Sequence, residues 1–399
     1  MNIGTLGHID HGKTSLTRAI TQVWTDRHSE SIKRNMTIKL GYADAVIRKF
    51  PGMKGPEQYT VAEKSPDGKR SEPLMRISLI DAPGHETLMA TAISGSSLLD
   101  GILFVIAANE PCPMPQTKEH LMIINILGMR NVIVVQSKVD IVGKEQANKH
   151  FQQIKAFLKG SVIENAPVVP VMTNQGINVD VILDKIANMK IPERDTTAEP
   201  MMYVVRSFDV NKPGADATKI VGGVIGGAII KGKFKVGDEV EIRPGMKAAK
   251  DGKAGKKESY TPIVTTIVKM SNGSEDIKDA VPGGLIGIST EIDPTFTKAD
   301  GLVGDVVGHV GKVPEAVGEF TLKYHKLSRT DIPEQAMKEN EPLVMGVGTA
   351  TAIGFIKKVK KDTVEVELKR PVVIDKTLKI AVMRNLGQRW RLTGWGTVA

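Results

Sequence analysis

The chain has 399 residues, a formal net charge of +9 and one cysteine, Cys112. A single cysteine excludes an intrachain disulfide, and no run of about 18 apolar residues is present, so we expect an intracellular, cytoplasmic protein without a membrane partner. The positive charge favours a polyanionic partner, whereas the aromatic content of 4% argues against a single-strand binder built on base stacking.

The hydrophobic pattern divides the chain into three parts. The first part alternates short β-branched runs, such as "GILFVIAANEP" and "NVIVVQSKVD", with amphipathic stretches such as "QTKEHLMIINIL". This pattern predicts an α/β domain over residues 1–198, with a mostly parallel sheet and helices on both faces. Short strands separated by glycine turns then predict an all-β barrel over residues 199–313 and a second one over residues 314–399.

A phosphate-binding motif lies at the very start of the first predicted domain. Gly7, Gly12, Lys13 and Thr14 satisfy G-x-x-x-x-G-K-[ST] between the strand "NIGTL" and the helix "TSLTRAITQV". Glycines let backbone N–H groups close around phosphate oxygens, the lysine reaches the β and γ oxygens, and the threonine hydroxyl suits Mg²⁺. The motif in this context predicts a P-loop.

A second motif, "LIDAPGHE", follows an apolar strand at residues 79–86. Asp81 can hold Mg²⁺ through water, the Gly84 N–H can sense a γ-phosphate, and His85 follows directly, beside the expected position of an attacking water. Thr37, between the two motifs, is placed to offer a second hydroxyl to the metal. These residues predict a nucleotide hydrolase whose loops respond to the γ-phosphate.

A third segment, "QSKVDIV" at residues 136–142, indicates which base is bound. Lys138 can lay its stem over a purine, and the Asp140 carboxylate can accept two hydrogen bonds from the N1–H and exocyclic amine of guanine, which adenine does not present there. After the preceding motifs, this segment favours GTP over ATP. A P-loop enzyme that uses ATP instead remains an alternative.

The order of these motifs resembles that of translational GTPases, and five stretches are similar to the gamma-subunit family of translation initiation factor 2 in archaea and eukaryotes. The stretches are "VWTDRHSE", "DAPGHE", "AANEPCPMPQTKEHL", "RSFDVNKPG" and "RWRLTGWG". The resemblance runs from Asn2 to the C-terminus. It implies a P-loop GTPase domain followed by two all-β barrels.

The resemblance also implies ligands and partners. The ligands are GTP, GDP and Mg²⁺, and hydrolysis to GDP and phosphate is expected to be slow without partners. The partners are initiator methionyl-tRNA, the alpha and beta subunits of the same factor, and the small ribosomal subunit. The tRNA would be delivered to that subunit and released on GTP hydrolysis.

Site residues follow from the resemblance by position. The nucleotide-binding set is Asp10, His11, Gly12, Lys13, Thr14, Ser15, Gly84, Ser137, Lys138, Asp140, Met172, Thr173 and Asn174. The metal-ligating set is Asp10, Thr14, Thr37 and Asp81. The catalytic residue is His85, which would orient the attacking water.

The chain departs from the family pattern at three places. Ser137 stands where the family has asparagine, and Met172 to Asn174 replace a Ser-Ala-Leu type guanine loop. Serine has a shorter reach and one donor, and one lost hydrogen bond costs about 0.5–1.5 kcal/mol. The insertion at residues 51–73 has no cysteine where many family members carry two C-x-x-C pairs, so we predict no zinc there.

Besides the ATP-using enzyme, two more alternatives stay open at the level of sequence. The first is an elongation-type GTPase that carries other aminoacyl-tRNAs, although "VWTDRHSE" and "RSFDVNKPG" speak against it. The second is a weakly hydrolysing nucleotide-binding scaffold for assembly, which Ser137 and the altered 172–174 loop favour.

Overall fold

The structure is a computed structural model. It describes residues 1–23, 41–81, 98–212, 214, 216, 218, 220–248, 259–273, 275–329, 335–387 and 389–399. Contacts within the chain define two units, Met1–Pro192 and Glu193–Ala399. No helix in these described ranges is long and apolar enough to cross a bilayer.

The strands described in the first unit form one sheet. They are β1 (Asn2–Leu6), β2 (Gly41–Lys49), β3 (Tyr59–Thr60), β4 (Glu72–Asp81), β5 (Gly101–Ala107), β6 (Val132–Ser137) and β7 (Val168–Pro170). Their order is β3-β2-β4-β1-β5-β6-β7. The pairs β4–β1, β1–β5, β5–β6 and β6–β7 are parallel, and β2 and β3 add an antiparallel edge. Parallel strands that start on the same side bring their carboxyl ends, and the loops after them, to one edge of the sheet.

Helices cover this sheet because its central strands are apolar on both faces. The described helices are α1 (Lys13–Thr21), α2 (Pro115–Leu127), α3 (Lys144–Leu158) and α4 (Val179–Ala187). Leu16 and Ile20 of α1 and Ile182 of α4 belong to one core cluster with the strand side chains of one face. On β5, Phe104 alternates with the residues of that cluster and is also fully buried, so the opposite face is covered as well.

The 51–73 insertion joins the antiparallel edge strands. Ser71, which is buried, donates its hydroxyl to the Ala62 carbonyl at 2.6 Å and accepts a hydrogen bond from Arg48 Nε at 2.9 Å. Lys64 and Arg70 form an isolated antiparallel bridge. Hydrogen bonds therefore connect the C-terminal end of this segment to β2 and to the middle of the segment itself.

In the second unit, the first group of strands closes into a barrel. The strands are β8 (Met201–Phe208), β9 (Val224–Lys231), β10 (Phe234–Lys235), β11 (Glu239–Lys247), β12 (Tyr260–Ser271), β13 (Asp276–Ile277), β14 (Asp279–Ala280), β15 (Leu285–Thr290) and β16 (Val306–His309). The ring order is β11-β16-β8-β9-β15-β12, and the β11–β12 pairing closes it. A short helix, α5 (Pro294–Thr297), lies between β15 and β16.

The remaining strands form a second closed barrel. They are β17 (Ala316–Lys326), β18 (Pro342–Val347), β19 (Ala350–Val359), β20 (Thr363–Val373), β21 (Ile380–Leu386) and β22 (Arg389–Val398). The ring order is β17-β20-β19-β18-β21-β22. Alternate residues of β19 are buried and exposed, as expected when one face of a strand meets a core. The predicted architecture, an α/β domain followed by two β-barrels, is confirmed.

An ion pair joins the two barrels. Asp305, which is fully buried, follows the first barrel's glycine-rich turn, and the Arg370 guanidinium of β20 donates to its Oδ1. The Gly245 N–H donates to Asp305 Oδ2 at 3.3 Å. Burial raises the pKa of Asp305 to about 7, although the Arg370 cation and the Gly245 hydrogen bond lower it. The barrels are therefore linked through one buried carboxyl group.

Candidate functional site

The P-loop motif forms the connection between β1 and α1. Gly7 has a φ of +149°, and a Cβ there would lie 2.2 Å from the Val105 carbonyl oxygen, so the close approach of β5 requires glycine. Gly12 has a φ of +88° and precedes α1 without a side-chain cap. A helix N-terminus without such a cap presents backbone N–H groups, which is the usual geometry for binding a phosphate.

Lys13 folds back over this loop. Its ammonium group donates to the Gly7 carbonyl at 3.0 Å and to the His8 carbonyl at 2.7 Å. Burial lowers the pKa of Lys13 to about 8, against the raising effects of Asp81 and Asp10. A cation held in this way, with its charge incompletely compensated, is suited to an incoming anion.

Asp81 lies at the end of β4 and connects the two motifs. Its side chain is fully buried, and it accepts hydrogen bonds from Thr14 Oγ1 at 2.7 Å and from Thr5 Oγ1 at 2.8 Å. Asp10 is exposed and has a left-handed φ of 56°. A threonine hydroxyl paired with a carboxylate is the hard oxygen donor set that Mg²⁺ prefers, so these residues fit the implied metal.

Two buried histidines shape the same loop. The Gly7 N–H donates to His120 Nδ1 at 2.9 Å, and His11 Nδ1 lies 3.1 Å from the Val105 carbonyl oxygen, to which it must donate. Burial lowers the pKa of each ring to about 3, so both rings are neutral. His11 Nε2 lies 3.2 Å from Glu110. His120 and Glu110 were not among the predicted site residues, because no local motif marks them.

The predicted guanine-reading residues follow β6 and β7. Ser137 is the last residue of β6 and is buried, and Lys138 is half-buried with a left-handed φ of 57°. Asp140 is exposed in the short turn Val139–Ile141. Met172 precedes the turn that contains Thr173 and Asn174, after β7. The Val171 N–H donates to the Gln136 carbonyl at 2.9 Å, which holds this loop beside β6.

Ser137 is joined directly to the P-loop. Its hydroxyl donates to the His11 carbonyl at 2.6 Å, although these residues are 126 positions apart in the chain. The single donor of the serine is therefore used by the P-loop, and none is left for the base. Ser15, in the first turn of α1, is half-buried. The structure thus brings Ser137 to the loop that begins at Gly7.

Three predicted site residues lie outside the described residues. They are Thr37, Gly84 and His85. Their metal-binding, phosphate-sensing and catalytic roles stay predictions.

Substitution of Ser137 by alanine should weaken GDP and GTP binding modestly. The His11 carbonyl would lose its donor, which costs about 0.5–1.5 kcal/mol, or roughly a 2- to 13-fold increase in Kd. Titration calorimetry measures the effect. The matched control is Ser161→Ala, because Ser161 Oγ also donates to a backbone carbonyl, that of Leu158, at 2.6 Å. An unchanged Kd in Ser137→Ala would mean that this hydrogen bond does not support the loop.

Comparisons with known proteins identify the class. Residues 1–192 match the family "Elongation factor Tu GTP binding domain", residues 222–308 match "Elongation factor Tu domain 2", and residues 318–398 match "Initiation factor eIF2 gamma, C terminal". The architecture resembles the crystal structure of bacterial selenocysteine-specific elongation factor EF-Sec, with a TM-score of 0.74 and 25% identity over 100% of this chain and 58% of that chain. The fold and the P-loop site are those of a translational GTPase, and the predicted GTPase activity is confirmed.

Relatives over the whole chain define the family more closely. Translation initiation factor 2 subunit gamma of Methanococcus vannielii is 49% identical over 406 residues, covering 100% of this chain and 98% of the relative. The protein of the same name from Archaeoglobus fulgidus is 46% identical over 405 residues, covering 100% of this chain and 94% of the relative. The chain belongs to the gamma-subunit family of translation initiation factor 2. This result favours the initiation hypothesis over the elongation-type alternative.

Proposed function

We propose that this chain binds initiator methionyl-tRNA in its GTP-bound state, assembles with alpha and beta subunits, and delivers the tRNA to the small ribosomal subunit. GTP hydrolysis then releases the tRNA. The functional domains are residues 1–198, 199–313 and 314–399. The observation that supports this proposal best is the Thr14–Asp81 hydrogen bond at 2.7 Å, in a chain that matches gamma subunits along its full length.

The hydrogen bond supports a switch for a physical reason. It joins the P-loop to the end of β4, directly before the segment that contains Gly84 and His85. When bound, Mg²⁺ would neutralise charge on the phosphates. Its protein ligands would come from the metal-ligating set, Asp10, Thr14, Thr37 and Asp81. A γ-phosphate would bias the loops of Thr37 and Gly84 toward one conformation, and its loss would release them.

Base recognition in this proposal depends on few groups. Asp140 accepts hydrogen bonds from guanine, Lys138 covers the base, and the 172–174 loop closes the pocket. Ser137 serves the P-loop through His11. The phosphates would be held by the loop from Asp10 to Ser15, with Lys13 as the cation.

The experiment that tests the proposal is a comparison of tRNA binding with GTP, GDP and ATP. Charged initiator tRNA and charged elongator tRNA are used in parallel, with the alpha and beta subunits present. We expect tight binding only for the initiator with GTP. Equal binding of the elongator would support the elongation-type alternative, and equal support by ATP would contradict guanine selection.

Substitution of His85 by alanine should slow GTP hydrolysis by roughly 10²- to 10⁴-fold without changing GTP affinity, since this is what positioned groups that assist proton transfer contribute. The measurement is single-turnover hydrolysis with ribosomes and partner subunits. Hydrolysis at the unsubstituted rate would remove His85 from the catalytic role and would favour the weakly hydrolysing scaffold.

A further inference from the structure

His120 lies on α2, outside every motif that predicts the nucleotide site, and its ring contacts the first residue of the P-loop. The pairing of β1 with β5 ends at Leu6, and the next backbone N–H, that of Gly7, donates to His120 Nδ1 at 2.9 Å. A side chain of α2 therefore provides the acceptor at the point where the chain leaves the sheet and enters the P-loop.

The surroundings of the His120 ring select one protonation state. The residue is fully buried, and burial lowers its pKa to about 3, with further lowering by Lys13, His8 and His11. A neutral ring that accepts at Nδ1 carries its proton on Nε2, and Nε2 has no hydrogen-bond partner among the described residues. A protonated ring could not accept from Gly7. The neutral ring is therefore the form that maintains this contact.

The helix α2 holds the ring in a fixed place. Leu121, Ile123 and Ile124, which follow His120 on this helix, are all buried. Side chains on a well-packed helix are positioned more precisely than side chains on a loop. His120 is therefore suited to fix the position of the P-loop.

Gly7 connects His120 to the cation of the site. Its N–H is bound by His120, and its carbonyl accepts a hydrogen bond from the Lys13 ammonium at 3.0 Å. Glycine has no side chain that restricts its backbone, so contacts from other residues must fix its conformation. The position of the Gly7 carbonyl, and with it that of Lys13, therefore depends on the contact to His120.

We propose that His120 is a positioning residue for nucleotide binding. By accepting from the Gly7 N–H, it holds the Gly7 carbonyl where the Lys13 ammonium binds it, and so keeps Lys13 in place for the phosphates. His120 itself touches no phosphate and no reacting atom in this assignment. The inference rests on the proposed role of Lys13 in holding phosphate, whereas it does not depend on tRNA or on the partner subunits.

The experiment compares replacements of His120 in the full chain by equilibrium binding of fluorescent GDP. In His120→Asn the amide oxygen can occupy the position of Nδ1 and accept from Gly7, whereas in His120→Gln the amide lies one bond farther out, and His120→Leu has no acceptor. We expect His120→Asn to bind GDP within about twofold of the unsubstituted chain. The other two should bind roughly tenfold more weakly, as when the groups that orient metal ligands are removed.

The matched control is His150→Leu. His150 is a buried histidine of the same unit, and its Nδ1 contacts the Gln136 side chain instead of the P-loop. This variant should bind GDP as the unsubstituted chain does.

A second series in the Lys13→Met background separates positioning from general destabilisation. If His120 acts through Lys13, His120→Gln should cause no further loss of GDP affinity in Lys13→Met, because residues that act through one contact are not additive. A loss that came from general destabilisation would be the same in both backgrounds.

Each outcome decides a part of the proposal. Unchanged GDP affinity in His120→Gln, or an equal loss in His120→Asn, would overturn the role of His120 as an acceptor. The same loss in the Lys13→Met background would overturn the route through Lys13. Should His120→Leu fail to fold, the asparagine and glutamine variants still decide. A chain that binds GDP but fails the tRNA comparison leaves this inference intact, whereas a chain that binds no GDP contradicts both proposals.

Discussion

Substitution of Lys13 by methionine should weaken GTP binding by roughly 10²- to 10⁴-fold. Each hydrogen bond from an ammonium group to a phosphate oxygen contributes about 1.5–3 kcal/mol, and the Lys13 ammonium is proposed to reach two such oxygens, one on the β- and one on the γ-phosphate. Methionine preserves much of the stem that fills the loop. In the structure the ammonium is held by the carbonyls of Gly7 and His8, at 3.0 and 2.7 Å. A bound triphosphate would supply the opposite charge that these carbonyls lack.

The buried Lys13 ammonium group also predicts that GTP affinity depends on pH. Burial lowers the pKa of Lys13 to about 8 in the nucleotide-free chain, and a bound phosphate would raise the pKa again. Because the bound state then holds the proton more tightly than the free state, GTP affinity should be constant below pH 8 and should fall as the pH rises above it. In Lys13→Met this fall should be absent.

Calorimetry of GTP binding between pH 6 and 9.5 measures both effects. The control is Lys118→Met, because Lys118 is an exposed lysine on α2 of the same unit. Affinity within about threefold of the unsubstituted chain in Lys13→Met would contradict the assigned role, since it is far below the loss expected for charged hydrogen bonds.

Substitution of Arg370 by methionine should lower the free energy of unfolding of the second unit by about 3–5 kcal/mol when Asp305 is ionised, because it leaves a buried charge without its partner. Asp305 is fully buried, and the methionine cannot donate to it. Arg370 also lies 5.8 Å from the Tyr260 ring, so the substitution removes a cation–π contact between the barrels.

The stability lost in Arg370→Met should depend on pH. Burial raises the folded-state pKa of Asp305 from 3.8 to about 7. A carboxyl group with a raised pKa contributes stability that is fully present below its unfolded pKa, and this contribution falls as the pH rises toward the folded value, by about 1.4 kcal/mol per pH unit. Arg370→Met should therefore cost most above pH 7 and least near pH 4, where the carboxyl is protonated. Asp305→Asn should remove this pH dependence.

Denaturant unfolding at pH 4.5 and 8 tests both substitutions. Lys369→Met is the matched control, because Lys369 is the exposed neighbour of Arg370 and lies over the Phe355 ring instead. If Arg370→Met cost the same at both pH values, the Asp305 carboxyl would not be the group that Arg370 stabilises.

The contiguous features of this protein could be predicted from the chain. The P-loop spans eight consecutive positions, Gly7 to Thr14, so its geometry depends on neighbours along the backbone. The apolar runs that became β5 and β6 also carry their own signal, since strands buried on both faces are continuously hydrophobic. The change to short strands with glycine turns indicated the barrels for the same local reason. The family resemblance rested on such contiguous stretches too.

Remote contacts within the site could not be predicted in this way. Gly7 and His120 are 113 positions apart, and Ser137 and His11 are 126 apart, yet each pair is joined by a hydrogen bond. The sequence identified Ser137 as a departure from the family, with a shorter reach and one donor. The structure shows that its hydroxyl reaches a backbone carbonyl of the P-loop. The partner depends on the register of β5 against β1 and β6, which no local pattern encodes.

The first domain could be predicted from the sequence because its signals are local. The P-loop depends on the backbone conformation of consecutive residues, and the strands are marked by the spacing of apolar residues along the chain. The hydrogen bonds of Gly7 to His120 and of Ser137 to His11, and the Asp305–Arg370 link, emerged only from tertiary packing. Each places a polar group inside the protein, where burial changes its pKa or requires a specific partner. That burial depends on segments distant in the sequence, so only the folded chain reveals it.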